Sequence, residues 1–415
     1  MTKKEIVKKL TYCRVCKERN LSRVFTLGPT PLANAFLSKK QAEKEEAFFP
    51  LDVYFCNNCS FLQLGHVVSP EVLFNDYVYV SSTSKVFVTH FEDFAKKIFL
   101  KFKLDKSSLV IDIGSNDGIL LKPFKKLGTR ILGIEPAKEI AKVAEKQGIE
   151  TISKFFSTDL ARKVVNEKGK AKIITANNVF AHIDDLDEVI KGLKILLSKD
   201  GAFVMEAPYL VDFLDKNYFD LVYHEHLSYW SVSTLITLFR RFDMEVFDVA
   251  KVDVHGGTIR VFVGNKGNFQ IEGSVKKFID IEKKAALGSI KTYLDFEKKI
   301  QENKVGLISL LASLKSKGKK IAAYGAPAKG NTLLNFFSIG IESLDYVVDD
   351  SSWKQGLYTP GKRIPVVSSE FLYKEKPDYL LILAWNFADS IMSMHRRLEK
   401  NGVRFIIPVP VPKVL

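Results

Sequence analysis

The chain has 415 residues, 46% of them hydrophobic and 27% charged, and a formal net charge of +14. This length exceeds what one hydrophobic core usually supports, so the composition predicts two or three domains of an ordinary globular protein. The basic charge suits an anionic small-molecule substrate, whereas the lack of an arginine-rich block argues against a nucleic-acid partner. A charged N-terminus and short apolar runs predict a cytoplasmic protein with no membrane partner.

Four cysteines, all within the first 60 residues, form two Cys-x-x-Cys pairs: Cys13 with Cys16, and Cys56 with Cys59. Two such pairs supply the four thiolates that a tetrahedral zinc site requires, and disulfides are rare in the cytosol. With no open coordination position, the ion would be structural rather than catalytic. The sequence therefore predicts an N-terminal zinc-binding module over residues 1–72. Two unconnected redox or turn motifs are the alternative.

The polar and aromatic stretch 74–84, which contains Tyr77, precedes an amphipathic helical run over residues 86–102. Its composition is too polar for a core strand. We interpret it as a linker that covers the mouth of the active site, with an ordinary surface loop as the alternative.

Residues 110–121 have the pattern of a strand, a glycine-containing loop and a helix start, which α/β proteins use to bind nucleotide-like ligands. The spacing of Gly114 and Gly118 matches neither the dinucleotide fingerprint nor a Walker motif. A second strand ends at Glu135, about 20 residues further on, where an acid can bind ribose hydroxyls. The two motifs resemble those of class I S-adenosylmethionine (SAM) methyltransferases. The SAM contacts expected from this resemblance are Asp112, Gly114, Asn116, Gly118, Glu135, Pro136, Phe156 and Asn178.

The alternation of strands and helices continues to about residue 206 and predicts a doubly wound parallel sheet. The ring of Phe156 belongs to an aromatic pair that could sandwich an adenine. Asn178 and His182 follow the strand that starts at Ala171, at the carboxyl edge where ligands bind. We assign residues 73–270 to this domain.

The densest chemistry lies in the segment Tyr223-His224-Glu225-His226, which holds two of the seven histidines. His-x-His supplies too few neighbouring ligands for zinc and does not match His-Glu-x-x-His. Histidine exchanges protons near neutral pH, and a neighbouring carboxylate can orient its imidazole. The segment therefore favours general acid–base chemistry, and a polar helix start with satisfied histidines is the alternative.

Residues 271–318 are lysine-rich and helical, and we interpret them as a connector. A second, Rossmann-like α/β pattern follows over residues 319–415. At the expected motif we predict no acid of the SAM-binding type after its second strand. Its glycine loop, with the helix dipole and a lysine, suits a phosphate or pyrophosphate. The substrate-binding candidates are Gly325, Ala326, Lys329, Gly330 and Asn331, with Lys362 and Trp385 as further candidates, the latter for base stacking.

Taken in order, these motifs, together with His-Gly-Gly-x-x-Arg at residues 255–260, resemble sugar-nucleotide C-methyltransferases of the tetronitrose C-3 type. The resemblance implies SAM-dependent methylation at C-3 of a 4-keto deoxysugar nucleotide, such as a dTDP-linked one, through an enolate. It implies that His226 is the base and that Glu225 and Tyr223 shape its surroundings or contact the substrate. It also implies that His182 contacts the sugar or the enolate and that Tyr77 lies near the reacting centre.

Two alternatives remain open at this point. An O- or N-methyltransferase acting on another acceptor would need no acidic C–H group. A zinc-dependent RNA-binding protein with a vestigial SAM fold would make use of the basic charge. The expected partner is the nucleotide-linked keto-deoxysugar, the expected cofactors are SAM and structural Zn²⁺, and a monomer is compatible with the sequence.

Overall fold

The computed structural model describes residues 6–74, 85–252 and 256–415, so Tyr77 and His255 lie outside the described residues. The strands, in chain order, are β1 Val7–Lys9, β2 Leu21–Thr30, β3 Phe49–Cys56, β4 Leu62–Leu64, β5 His66–Val68, β6 Leu109–Ile113, β7 Arg130–Ile134, β8 Thr151–Ile152, β9 Ala171–Asn177, β10 Leu197–Pro208, β11 Ser228–Tyr229, β12 Met244–Val252, β13 Thr258–Asn265, β14 Ile321–Tyr324, β15 Val347–Val348, β16 Val366–Val367, β17 Tyr379–Ile382, β18 Arg404–Ile407 and β19 Lys413–Val414.

The α-helices of the described residues span Lys39–Ala42, Pro70–Phe74, Lys85–Lys101, Leu121–Lys126, Lys138–Lys146, Thr158–Lys168, Leu186–Leu196, Leu210–Asp215, Val232–Arg240, Gly273–Lys284, Ile290–Ser316, Ala328–Phe337, Ser369–Lys374, Ala388–Met394 and Arg396–Lys400. Short 3₁₀ helices lie at Phe219–Leu221 and Trp385–Phe387.

The middle part of the chain forms a seven-stranded sheet in the order β12-β13-β10-β9-β6-β7-β8. Strands β6 to β10 are parallel, and β13 runs antiparallel between β10 and β12. All five side chains of β6 are buried, as expected for a central strand covered on both faces. Helix Lys85–Lys101 covers one face and buries Phe94 there. The predicted doubly wound SAM-methyltransferase fold is confirmed.

The N-terminal region forms a separate antiparallel sheet in the order β11-β4-β3-β2. Alternate residues of β3 are buried, which is the pattern of a strand with one face on the core. Its fourth strand, β11, comes from residues 228–229 and directly follows the histidine segment. The zinc module is therefore built onto the middle domain through a shared sheet.

The C-terminal region forms a six-stranded sheet in the order β16-β15-β14-β17-β18-β19, parallel except for the edge strand β19. This order is that of a Rossmann-like sheet, with a reversal between β14 and β17. The prediction of a second Rossmann-like domain is confirmed.

The two helices of the predicted connector pack against other parts of the chain. In helix Ile290–Ser316, the ring of Tyr293 lies 5.0 Å from that of Phe55 and the ring of Phe296 lies 5.7 Å from that of Phe25. From the same helix, Asn303 Nδ2 donates hydrogen bonds of 2.9 and 2.8 Å to the carbonyl oxygens of Pro408 and Pro410. One continuous cluster of buried residues joins the three sheets. The exact boundaries at residues 72, 270 and 318 stay predictions.

Candidate active site

The predicted cofactor loop follows β6 at the point where the order of the middle sheet reverses. In such sheets, this point is where ligands bind. Gly114 has a φ of 69°, and a Cβ added there would lie 2.4 Å from Cγ2 of Val179. Both the backbone conformation and the close approach therefore require glycine. Asn116 follows with a φ of 50°.

The carboxylate of Glu135 joins this loop to the end of β7. Its Oε2 accepts a hydrogen bond of 2.9 Å from the backbone N–H of Asn116, and its Oε1 accepts one of 2.9 Å from the backbone N–H of Ala137. Burial raises the pKa of Glu135. The acid predicted to bind ribose is thus held rigidly beside the glycine loop, with Pro136 as its neighbour.

Asp112, on β6, lies beneath the loop. Its Oδ1 accepts a hydrogen bond of 2.6 Å from the hydroxyl of Thr175, and burial raises its pKa to about 7. Two buried carboxyl groups beside a glycine loop fit SAM, since its ribose carries hydroxyl donors and its sulfonium and amino groups are cationic. SAM binding by Gly114, Asn116 and Glu135 stays a prediction.

The remaining cofactor candidates differ in accessibility. The ring of Phe156 is 9% exposed and packs against Gly192, whereas its neighbour Phe155 is 54% exposed. The backbone N–H of Asn178 donates a 2.8 Å hydrogen bond to the carbonyl of Glu206, which fixes the end of β9. Gly118 has a φ of 78° in the same loop as Gly114. Adenine binding by Phe156 stays a prediction.

The turn after β9 connects the cofactor loop to the histidine segment. Val179 lies against Gly114, and its carbonyl accepts a 2.8 Å hydrogen bond from the backbone N–H of His182. The carbonyl of Ala181 accepts a 2.7 Å hydrogen bond from the backbone N–H of Leu227. A single turn of the chain therefore touches both sites.

His226 has a defined hydrogen-bond arrangement. Its Nδ1 lies 2.8 Å from the carbonyl oxygen of Leu221, and its Nε2 lies 2.8 Å from the hydroxyl of Tyr223. Because a carbonyl only accepts, we assign the ring proton to Nδ1. Nε2 is then the basic nitrogen and accepts from the hydroxyl of Tyr223.

His182 lies edge-on to His226, with ring centroids 5.0 Å apart and an interplanar angle of 73°. Burial lowers the pKa of His182 to about 4. His182 is consequently neutral at physiological pH and suited to hydrogen bonding rather than to holding a charge. The structure brings the predicted residues Tyr223, His226 and His182 together.

Glu225 and His224 face the N-terminal module instead. Oε1 of Glu225 accepts a 2.7 Å hydrogen bond from Nδ2 of Asn34, and burial raises the pKa of Glu225 to about 7. Nε2 of His224 lies 3.2 Å from the carbonyl oxygen of Phe49, and burial lowers its pKa to about 4. The expectation that a neighbouring carboxylate orients the imidazole of His226 is wrong, because the Leu221 carbonyl does so.

The four predicted zinc ligands converge. Their sulfur atoms all lie within 4.8 Å of one another; Sγ of Cys13 is 3.6 Å from that of Cys59, and Sγ of Cys16 is 3.5 Å from that of Cys56. Zinc–sulfur bonds of about 2.3 Å in a tetrahedron require sulfur separations of about 3.8 Å. The cysteines are free of disulfides and fit a zinc ion.

The C-terminal glycine loop repeats the arrangement seen at the SAM loop. Asp349 directly follows β15, the second strand of this domain, and its Oδ2 accepts a 2.7 Å hydrogen bond from the backbone N–H of Ala326. The expectation that no such acid follows the second strand is therefore wrong. Gly325 has a φ of 85°, and an added Cβ would lie 2.7 Å from that of Ala384.

Lys329 and Trp385 lie together in the interior, next to Asp220 of the middle domain. The ammonium of Lys329 is 3.6 Å from the centroid of the Trp385 ring, and the ring centroids of Tyr218 and Trp385 are 4.4 Å apart. The indole N–H donates a 2.5 Å hydrogen bond to Oδ2 of Asp220. Trp385 is 8% exposed. This packing contradicts the prediction that Trp385 stacks on a nucleotide base.

The other substrate candidates have structural contacts. Gly330 packs against Leu383, and the buried amide of Asn331 donates a 2.7 Å hydrogen bond to the carbonyl of Ala33. Lys329 Nζ donates to Oδ1 of Asn386. Lys362 is half-buried at the surface. Phosphate binding by these residues stays a prediction.

Sequence reasoning missed a buried polar cluster around Glu206, at the carboxyl end of β10. Its Oε2 lies 2.8 Å from Nε2 of His90, and its Oε1 accepts from Arg260 at 2.8 Å (Nε) and 2.6 Å (Nη2). The guanidinium of Arg260 also lies 4.1 Å from the centroid of the Phe94 ring. An acid at the end of a parallel strand was the available signal.

Three family models match the chain in succession. They are described as a zinc binding domain over residues 13–74, a methyltransferase domain over 88–249 and a C-methyltransferase C-terminal domain over 253–410. The chain is also 37% identical to C-methyltransferase NovU of Streptomyces niveus over 412 residues, covering 99% of this chain and 98% of NovU. The chain belongs to this C-methyltransferase family.

Other similarities of this C-methyltransferase are more distant. It is 27% identical to the ubiquinone biosynthesis O-methyltransferase of Pelagibacter ubique, over 30% of this chain and 51% of that protein. Among solved structures, the PH0226 protein of Pyrococcus horikoshii is 13% identical with a TM-score of 0.37, over 48% of this chain and all of that one. A SAM-dependent methyltransferase from Anabaena variabilis is 16% identical with a TM-score of 0.34, over 41% and 83% of the chains.

The protein is a SAM-dependent C-methyltransferase with a zinc-binding N-terminal module, in agreement with the predicted cofactors. Family membership favours carbon over oxygen or nitrogen as the methyl acceptor. In the part of the chain that the structure describes, no helix has the length and apolar character needed to cross a membrane.

Proposed function

We propose that this C-methyltransferase methylates C-3 of a 4-keto deoxysugar nucleotide, and that His226 removes the C-3 proton to form an enolate. The observation that carries the proposal is the contact between the two sites: the turn after β9 touches the glycine loop at Gly114 and carries His182 beside His226. A base and a methyl donor acting on one carbon must lie on adjoining surfaces.

The carbon acceptor explains why a base is needed. A sugar carbon becomes nucleophilic only when a proton next to the ketone is removed, and SAM supplies the electrophilic methyl group. Nε2 of His226 is the nitrogen proposed to take the proton, since Nδ1 is committed to the carbonyl of Leu221. The hydroxyl of Tyr223, 2.8 Å from Nε2, aligns the imidazole and would have to turn away or relay the proton during the reaction.

The enolate oxygen requires hydrogen-bond donors. A neutral His182, which lies beside His226, can donate without carrying charge. Glu225, whose carboxyl contacts Asn34 of the N-terminal module, would act only through the segment that it shares with His226. Tyr77, outside the described residues, stays a further candidate by resemblance. The nucleotide is expected at the C-terminal Rossmann-like domain, near residues 325–331 and the Asp349 carboxylate.

Exchange of the C-3 hydrogen with deuterated solvent tests the proposal. The enzyme is incubated with a panel of 4-keto nucleotide sugars without SAM, and exchange is followed by NMR; labelled SAM is then added to measure methyl transfer. We expect exchange at C-3 without SAM and a methylated carbon with it. Methyl transfer to a heteroatom, or the absence of exchange across the panel, would contradict the proposal.

A further inference from the structure

The zinc knuckle holds an arginine whose side chain reaches the active-site segments. Arg14 lies between Cys13 and Cys16 and is 2% exposed. Its backbone N–H donates a 2.9 Å hydrogen bond to Oε1 of Gln63, and Nε2 of that glutamine donates at 3.1 Å to the carbonyl of Tyr12. The start of the arginine side chain is thus fixed by the metal module itself.

The guanidinium of Arg14 connects the segments that carry the two histidines. Nη1 donates a 2.6 Å hydrogen bond to the carbonyl of Ile183, the residue after His182. Nη2 donates to the carbonyl of Leu227, the residue after His226, and at 2.6 Å to the hydroxyl of Ser228. A planar guanidinium holds acceptors at a fixed mutual geometry, which a lysine cannot do.

Other contacts of the module converge on the same segment. Asn34 binds Glu225, the carbonyl of Phe49 accepts from His224, and β4 pairs with β11 immediately after Leu227. Only Arg14, among these contacts, also reaches the His182 side. A buried charge is costly to desolvate, so its placement here contributes orientation more than stability.

We propose that Arg14 is a positioning residue that sets the distance and angle between His182 and His226, so that the zinc module tunes proton removal in the middle domain. This inference rests on the proposed role of the two histidines. It assigns the N-terminal module a task beyond its own folding. The arginine acts through backbone carbonyls and does not itself touch the substrate.

The test compares Arg14→Lys and Arg14→Met with Arg23→Met, whose parent side chain is 60% exposed and 3.8 Å from Asp52 in the same module. Zinc content, SAM affinity and ¹⁵N-histidine NMR spectra are measured without sugar substrate, followed by kcat and KM. We expect the Arg14 variants to keep zinc and SAM affinity, to shift the signals of both histidines and to lose kcat on the order of 10²-fold. Arg23→Met should match the wild type.

Wild-type histidine spectra and kcat in Arg14→Lys would overturn the proposal. A loss of SAM affinity that accompanies the shift of the histidine signals would also overturn it, since that result assigns Arg14 to general folding. If neither variant folds, the wild-type protein is stripped of zinc with a chelator: altered histidine spectra with SAM affinity retained support the proposal, and any other result overturns it. A wild-type enzyme that exchanges no proton on any keto sugar contradicts the proposed function separately, because the spectra require no substrate.

Discussion

The hydroxyl of Tyr223 lies 2.8 Å from Nε2 of His226, three residues along the same turn. With Nδ1 of the imidazole 2.8 Å from the Leu221 carbonyl, the ring is held at both nitrogens and its basic nitrogen faces a phenol. Because a neutral imidazole has a single acceptor lone pair, the tyrosine hydroxyl must turn away or relay the proton before the proposed base can act. The imidazole is oriented here by a backbone carbonyl and a phenol rather than by a carboxylate.

We expect His226→Asn to abolish solvent exchange and to lower methyl transfer by about 10²–10⁴-fold, the usual contribution of general base catalysis. SAM affinity should be unchanged, because the cofactor loop lies on the other side of the turn after β9. Tyr223→Phe should lower both rates by about tenfold, since one aligning hydrogen bond is lost. His66→Gln, on β5, is the control and should leave both rates unchanged. Full exchange activity in His226→Asn would remove this residue from the mechanism.

Glu225 predicts a pH dependence of stability. Burial raises its pKa to about 7 from 4.5, so the folded protein keeps a proton that the unfolded chain releases. Its contribution to the free energy of unfolding is then fully present below pH 4.5 and is lost as the pH rises through about 7. Glu225→Gln keeps the Asn34 contact and removes the titration. The free energy of unfolding of the variant, relative to that of the wild type, should rise by on the order of 3 kcal/mol between pH 4 and pH 8.

Denaturant unfolding across this pH range measures the difference between variant and wild type. Asp112 and Asp220, whose pKa values burial raises to about 7 and about 6, contribute the same sign to both proteins and cancel in the difference. Glu45→Gln, at an exposed position, is the control. Parallel curves for wild type and Glu225→Gln would show that Glu225 ionises normally in the folded state.

The fold was predictable to a large extent because hydrophobic periodicity and glycine loops are local signals. Strand β7, Arg130–Ile134, ends next to Glu135, where the sequence predicted the end of the second strand, and the order of elements in the middle domain followed from the βα alternation. The cysteine spacing likewise predicted a cluster that the structure forms. Each strand, glycine loop and Cys-x-x-Cys pair depends on residues close in sequence, and only the meeting of the two cysteine pairs, 40 and 46 residues apart, depends on the fold.

The direction of side chains depended on distant parts of the chain and was less predictable. Trp385 follows a strand, as a base-stacking residue would, but the middle domain supplies Asp220 and Tyr218 to cover it. Arg14 lies between the two cysteines of a Cys-x-x-Cys pair, and the carbonyl oxygens that accept from it lie 169 and 213 residues away along the chain. Neither relationship leaves a pattern in the local sequence.

Substitution of Lys329 can distinguish between a structural role and a phosphate-binding role of this side chain. Burial lowers its pKa to about 8, and the neighbouring Asp220 opposes that shift. We expect Lys329→Met to lower the free energy of unfolding by about 3 kcal/mol, because it leaves a buried carboxylate without a nearby cation. Lys329→Met combined with Asp220→Asn should recover part of this loss, and Lys320→Met, at an exposed position, should have no effect. A raised KM for the sugar nucleotide with unchanged stability would instead assign the lysine to phosphate binding.

Gly114 offers the sharpest test of the cofactor loop, because the chain contains a matched control. Gly114 and Gly318, the latter just after helix Ile290–Ser316, both have positive φ, 69° and 70°, so an alanine at either position pays the left-handed backbone cost of about 1–2 kcal/mol. At Gly114 the new Cβ would also lie 2.4 Å from Val179, whereas at Gly318 nothing lies within 4 Å. We therefore expect both variants to lose similar intrinsic stability, but only Gly114→Ala to displace the turn after β9 and lose SAM affinity, measured by calorimetry. Because that turn also carries His182, Gly114→Ala should impair solvent exchange even without SAM; normal exchange with SAM binding lost would show that the two sites are not coupled through Val179.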